Sequence, residues 1–173
     1  MITLVLGGAR SGKSRFAQQL ASASQSPVLY IATATALDKE MATRIEHHQH
    51  NRPNDWRLRE CPLNLAEALQ EEVEQPQTIL VDCLTLWLNN QLFEYPEQDF
   101  STLFDELVNS LTISNANVIF VANEVGLGII PLGEISRKFV DEAGRLNQQL
   151  AQIADKVFFV AAGLPLVLKE KLQ

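Results

Sequence analysis

Eight consecutive residues, Gly7-Gly8-Ala9-Arg10-Ser11-Gly12-Lys13-Ser14, constrain this chain more than any other feature. They match G-x-x-x-x-G-K-[ST] and lie between an apolar run, Ile2 to Leu6, and a helix-forming segment, Lys13 to Ala23. That order is what the physics of phosphate binding requires. The glycines let the backbone curl so that successive N–H groups face one anion, and the following helix N-terminus adds partial positive charge. In this arrangement Lys13 reaches the β- and γ-phosphates, and the Ser14 hydroxyl meets a Mg²⁺ ion that bridges phosphate oxygens. A glycine-rich turn with a surface lysine is the alternative, and the strand before it and helix after it count against that. A second acidic partner is expected at the end of another buried strand. Ile79-Leu80-Val81-Asp82 supplies it, so Ser14 and Asp82 are the candidate metal residues.

The rest of the chain repeats the same alternation. Short apolar runs at Ile2 to Leu6, Val28 to Ala32, Thr78 to Val81, Val118 to Val121 and Val157 to Val160 read as buried strands, with edge strands near Trp56 to Arg59 and Leu166 to Leu168. Helices are expected over Lys13 to Ala23, Leu37 to His50, Leu65 to Glu74, Leu84 to Leu92, Phe100 to Leu111 and Glu134 to Ala154. This is an α/β pattern: one P-loop NTPase-like domain over residues 1–173, with a mostly parallel sheet flanked by helices. With 173 residues, 46% of them hydrophobic, the chain can bury a full core without metal or disulfide staples.

Several function classes are disfavoured. Fourteen basic against 21 acidic residues leave a net charge of −7, which repels nucleic acid at long range, so any phosphate site must be a local one. The longest nearly apolar stretch, Val157 to Leu168, is interrupted by Gly163 and Pro165 and is too short to span a membrane. The start of the chain has no basic segment before its apolar run and does not read as a signal peptide; two cysteines, Cys61 and Cys83, form no framework. A cytoplasmic location is the expectation. A regulatory GTPase would carry N-K-x-D after a later strand, where this chain has Ala122-Asn123-Glu124-Val125-Gly126, and Asp141-Glu142-Ala143-Gly144 matches D-x-x-G only inside a helical stretch.

All three histidines fall within Arg44-Ile45-Glu46-His47-His48-Gln49-His50-Asn51-Arg52. On a helix Arg44 lies beside His48, and Arg52 follows one turn later. A neutral imidazole is a competent nucleophile toward phosphorus, and flanking guanidinium groups neutralise the attacked phosphate and its leaving group. A solvated, histidine-rich helix end is the competing reading; a zinc site lacks ligand spacing and cysteines.

Six segments together carry a resemblance. They are Gly7 to Ser14, Tyr30-Ile31-Ala32-Thr33-Ala34, Arg44-Ile45-x-x-His48-x-x-x-Arg52-Pro53-x-x-Trp56, Asp82-Cys83-Leu84-Thr85, Asn123 to Pro131, and Arg137-x-Phe139-x-Asp141-x-x-Gly144-Arg145-x-Asn147-Gln148. In these the chain resembles the bifunctional adenosylcobinamide kinase/adenosylcobinamide-phosphate guanylyltransferase family. The resemblance implies two reactions. The γ-phosphate of ATP or GTP passes to adenosylcobinamide, and GTP then gives adenosylcobinamide-GDP through a GMP-histidine intermediate. It places the nucleophile on His48, with Lys13 also catalytic. It assigns guanine-nucleotide contacts to Gly7, Gly8, Ala9, Arg10, Ser11, Gly12, Lys13, Ser14, Ala32, Thr33, Ala34, Gln49, His50, Asn51, Arg52, Glu60 and Asp82. It further implies Mg²⁺, nucleotide and corrinoid substrates, and homo-oligomeric, trimeric assembly. For Glu60 the physical account is a carboxylate past a short strand, able to accept from guanine N1–H and N2–H₂.

The Asn123 to Gln148 region reads independently as a loop at a strand's C-terminal edge, where open α/β sheets bind ligands. Asn123 and Glu124 are suited to orient a substrate hydroxyl or a metal-bound water. Arg137 suits either a transferring phosphoryl group or an i, i+4 salt bridge with Asp141.

Overall fold

The computed structural model describes residues 1–35, 53–72, 77–113 and 116–171. Its elements, in order, are β1 (Ile2–Gly7), α1 (Lys13–Ala23), β2 (Val28–Ala32), β3 (Arg57–Glu60), α2 (Leu65–Glu71), β4 (Thr78–Asp82), α3 (Leu84–Glu94), α4 (Phe100–Ile113), β5 (Asn117–Asn123), α5 (Glu134–Ile153), β6 (Lys156–Ala161) and β7 (Leu164–Glu170). The helix expected over Leu37 to His50 lies outside the described residues, as does the end of the one expected to reach Glu74.

The strands form one seven-stranded sheet in the order β3-β2-β4-β5-β1-β6-β7. Pairings from β3 through β6 are parallel, and β7 returns antiparallel on β6. The apolar stretch broken by Gly163 and Pro165 is therefore a hairpin, with Ala162 and Gly163 at positive φ in its turn. Positive φ at both central residues matches the twist of the flanking strands.

Side chains alternate across the strands, and the two faces build two cores. Leu4, Leu29, Ile31, Ile79, Val81, Phe120 and Val157 face the layer of α2 to α5, with Trp87, Phe104 and Leu146. Val5, Tyr30, Leu80, Ile119, Val121 and Val160 face α1 and Trp56, where Phe16 meets Phe158 edge-on at 5.1 Å. The near-continuous apolar sequence of β4 follows from burial on both faces. The two edges differ. On β3, Arg57 and Arg59 pair with Glu72 and Glu71, which guards that edge with charge. On β7, Leu164, Leu166, Val167 and Leu168 are exposed.

Candidate active site

The candidate site residues that fall within the described residues sit at the C-terminal edge of the sheet. The phosphate loop leaves β1 at Gly7, between Asn123 of β5 and Val160 of β6. A Cβ at Gly7 would stand 2.5 Å from the Val160 carbonyl oxygen and 2.6 Å from Ser11 Oγ, so the position excludes any side chain. Gly12, with φ at 94°, is the N-cap of α1, and the Gly163 N–H of the β6–β7 hairpin donates to the Ser11 carbonyl at 2.8 Å. The hairpin turn thus braces the outside of the loop. The Ser11 hydroxyl, inside it, is buried and has no hydrogen-bond partner among the described residues. A buried orphan donor within a curl of backbone N–H groups is suited to an anion.

Lys13 is only 8% exposed and folds back so that Nζ donates to the Gly8 carbonyl at 3.2 Å. Burial holds its pKa below the usual lysine value, against the opposing pull of Cys83 and Asp82. Across the sheet, Ser14 Oγ donates to Asp82 Oδ1 at 3.4 Å, and Tyr30 OH donates to Asp82 Oδ2 at 3.1 Å. A hydroxyl and a carboxylate in contact beside a phosphate loop form a hard oxygen pair, and Mg²⁺ takes one or two such protein ligands together with phosphate oxygens. No group of three or more His, Cys, Asp or Glu side chains able to hold a metal occurs among the described residues. Burial, and then the Asp82 charge, push the Cys83 thiol up to about 11, so it stays protonated and offers no nucleophile at neutral pH.

The register lines up the remaining candidates. Glu60, Ala32 and Asp82 are successive cross-strand partners on β3, β2 and β4. Glu60 is exposed, and at about 4.8 Å per strand it lies roughly 10 Å from Asp82 and roughly 19 Å from the strand carrying the phosphate loop. Thr33 is fully buried: its hydroxyl donates to the Cys83 carbonyl at 2.7 Å and accepts from the Cys83 N–H at 2.9 Å. Ala34 follows it at the same edge. His48 and its neighbours Gln49, His50, Asn51 and Arg52 lie outside the described residues, which stop at Thr35 and resume at Pro53.

The segment after β5 is tied to the loop. Glu124 N–H donates to the Gly7 carbonyl at 3.1 Å, Asn123 N–H to Thr85 Oγ1 at 2.7 Å, and Glu124 Oε1 accepts from Gly126 N–H at 2.6 Å. Arg137 does not form the i, i+4 ion pair with Asp141: its guanidinium donates to the carbonyls of Pro131 and Leu132, fixing the exit of this segment. Asp141 to Gly144 lies inside α5, so the D-x-x-G letters mark no nucleotide loop. Two contributors are not legible in the sequence motifs. One is the Gly163 brace, which no local signal announces. The other is the Tyr30 hydroxyl, and there a tyrosine in an otherwise apolar buried strand is the available clue, because a buried phenol needs a partner.

Comparison with known proteins decides the family. The profile of "Cobinamide kinase / cobinamide phosphate guanyltransferase" matches residues 3–168. The chain belongs to that family. It is 50% identical over 169 residues to the "bifunctional adenosylcobalamin biosynthesis protein CobP" of Pseudomonas aeruginosa, covering 98% of each chain. It is 41% identical over 182 residues to the Escherichia coli protein of the same description named CobU, covering 98% of this chain and 100% of that one. Among solved structures, a protein of Pyrococcus horikoshii OT3 superposes with a TM-score of 0.59 at 13% identity, covering 99% of this chain and 87% of that chain. The RadB recombinase superposes with 0.52 at 15% identity, covering 91% and 73%. These two share the fold with this family member, whose sheet and phosphate loop are P-loop NTPase-like.

Proposed function

We propose that the chain is a single nucleotide-binding unit that carries out both reactions of its family. In the first, the γ-phosphate of ATP or GTP passes to the terminal hydroxyl of adenosylcobinamide. In the second, an imidazole nitrogen of His48 attacks the α-phosphorus of GTP and the P–O bond to pyrophosphate breaks. A phosphate oxygen of adenosylcobinamide phosphate then attacks the GMP-histidine; the P–N bond breaks, His48 is regenerated and adenosylcobinamide-GDP leaves.

The observation that carries this reading is the contact of Ser14 with Asp82 beside a buried Lys13, in a chain matched almost end to end by bifunctional relatives. Both reactions need the triphosphate held in one place while different phosphorus atoms react, and a rigid backbone cradle does that. Gly7 to Ser14 cradle the phosphates, and Ser14 and Asp82 would hold Mg²⁺, which would supply charge neutralisation. Ala32, Thr33, Ala34, Gln49, His50, Asn51, Arg52 and Glu60 complete the guanine-nucleotide site. Two exposed apolar surfaces support self-association: Leu164, Leu166 and Leu168 on the β7 edge, and Leu127, Ile129, Ile130 and Leu132 after β5, where Ile129 is 98% exposed; that the assembly is a homotrimer rests on the family resemblance. No described helix is long and apolar enough to cross a membrane, which fits a cytoplasmic enzyme of small-molecule substrates.

Incubation with Mg²⁺ and α-³²P-labelled GTP, denaturing electrophoresis and an acid wash test the covalent step. Retained label that acid removes is expected from the wild type and not from His48→Ala, which keeps phosphoryl transfer to cobinamide in part. Absence of label in a protein that binds GTP would reduce the reading to a plain kinase.

A further inference from the structure

We propose that Asn90, on α3, is a positioning residue for guanine recognition. It holds together the two loops that end β2 and β3, where the base-reading groups stand; this rests on the assignment of Glu60 and Ala32 to Ala34 to the guanine site. Asn90 Nδ2 donates to the Thr33 carbonyl at 2.8 Å and to the Pro62 carbonyl at 3.1 Å. An amide nitrogen has two hydrogens, and this one spends them on two different loops. Thr33 lies one residue past Ala32, the cross-strand partner of both Glu60 and Asp82, and Pro62 lies two residues past Glu60. Between them, Cys61 N–H donates to the Ala32 carbonyl at 2.8 Å, the last backbone bond joining the two strands among the described residues. The side chain of Asn90 is thus a cross-brace at the edge where a carboxylate must meet guanine N1–H and N2–H₂ in one plane.

Its neighbours on α3 do a different job. Trp87 Nε1 and Gln91 Nε2 both donate to a single acceptor, the Leu63 carbonyl, at 2.7 and 2.8 Å. They anchor the loop after β3 to the helix twice over, and neither touches the loop after β2 through these bonds. Attachment of the β3 loop to the core is therefore redundant, whereas among the described residues it is Asn90 that ties the two loops to each other beyond the Cys61–Ala32 bond. Guanine selectivity tolerates little displacement, since misplacement by about 1 Å costs up to about a hundredfold in a positioned site.

The experiment compares GTP with inosine triphosphate, which lacks only the exocyclic amine, in the full-length wild type, Asn90→Ala, Gln91→Ala and Glu60→Gln. Kd for both nucleotides and kcat and KM for guanylyl transfer are measured, with a melting temperature for each variant. Asn90→Ala is expected to lower the GTP preference about tenfold through KM and Kd, the scale of one lost hydrogen bond, with kcat for phosphoryl transfer from ATP within about threefold of wild type. Gln91→Ala removes a bond of the same kind from the same helix and is expected to keep the preference. An unchanged preference in Asn90→Ala overturns the inference, and so does an equal loss in Gln91→Ala, which would make the effect one of general loosening. Should Glu60→Gln keep the preference while Asn90→Ala loses it, Glu60 falls as the base contact and Asn90 stands as the brace of the base site.

Discussion

Replacing Lys13 with methionine should make the empty protein more stable and the nucleotide-bound protein less so. Lys13 is nearly buried, and among the described residues its ammonium donates to one acceptor, the Gly8 carbonyl, which also receives the Ser11 N–H at 3.2 Å. Methionine keeps the unbranched stem and its packing, removes the charge, and leaves the Gly8 carbonyl a donor. Burial lowers the folded-state pKa below 10.5, so the unfolded chain holds this proton more tightly than the folded one. The charge therefore opposes folding at neutral pH, and this penalty fades as pH rises from the lowered value toward 10.5. Relieving a group kept in place for function gives about 1 kcal/mol, or about 2–4 °C for a chain of this size.

Bound phosphate reverses the sign. Loss of the charged hydrogen bonds from Lys13 costs about 1.5–3 kcal/mol of binding, or about 10- to 150-fold in Kd. At a MgGTP concentration about 100 times the wild-type Kd, ligand stabilises the wild type by about 2.7 kcal/mol and the variant by only about 0.3–1.4 kcal/mol. The melting curves of the two proteins should therefore cross: Lys13→Met higher when empty, lower when loaded. Calorimetry with and without MgGTP reads this directly. An empty variant less stable than wild type, or a thermal shift by GTP equal in the two, would refute the reasoning.

Three other substitutions test the surroundings. Tyr30→Phe removes the hydroxyl that donates to Asp82 Oδ2, and an ill-oriented carboxylate should bind Mn²⁺ about tenfold more weakly in the nucleotide complex, as read by electron paramagnetic resonance; unchanged affinity would exclude an orienting role. Gly12→Ala puts a Cβ on a residue at φ 94°, 3.1 Å from Gly163 Cα, which should cost about 1–3 kcal/mol and lower the melting temperature by about 3–10 °C; a normal melt would mean the loop shifts freely. Asp155 accepts from Ile2 N–H and Lys171 Nζ, and these bonds hold its carboxyl below the usual range. The stability it supplies is present above the ordinary carboxylate pKa and is lost as pH falls through the lower folded value, so Asp155→Asn should flatten the acid limb of a melting series. Parallel limbs would show that Asp155 carries no linkage.

How far the sequence discloses this site depends on whether a feature is local or belongs to the register. Gly7 to Ser14 can be read because the motif, the apolar strand before it and the helix after it are contiguous, and Asp82 because a carboxylate closing an apolar run marks a strand end. What the linear order hides is distance across the sheet. Strand β5 comes after β4 in the chain but inserts between β4 and β1, and so puts Asn123 opposite Gly7. No periodicity specifies that pairing. Nor can the chain's spacing show that Gly163, near the opposite end of the sequence, braces the phosphate loop, or that Asn90 joins two loops contributed by other strands. Spacing also misleads: Arg137 and Asp141 are four apart on α5, yet the arginine satisfies two carbonyls that the preceding loop leaves open, a closer demand than a solvent-exposed ion pair.

The polar groups of the loop largely bond to one another. Lys13 occupies the Gly8 carbonyl, the hydroxyls of Ser14 and Tyr30 occupy the two oxygens of Asp82, and Ser11 Oγ alone stands buried without a partner among the described residues. On the proposed function, nucleotide binding would be an exchange of partners: Lys13 would give up the Gly8 carbonyl for a phosphate oxygen, and Ser14 and Asp82 would give up their mutual hydrogen bond to hold Mg²⁺. An exchange yields less affinity than filling empty donors would, because internal bonds are given up for each one gained. These internal bonds also hold the cradle of Gly7 to Ser14 in place, which is preorganisation for an anion. That would be an advantage if, as proposed, both reactions use this loop in turn, one nucleotide product leaving before a second triphosphate enters.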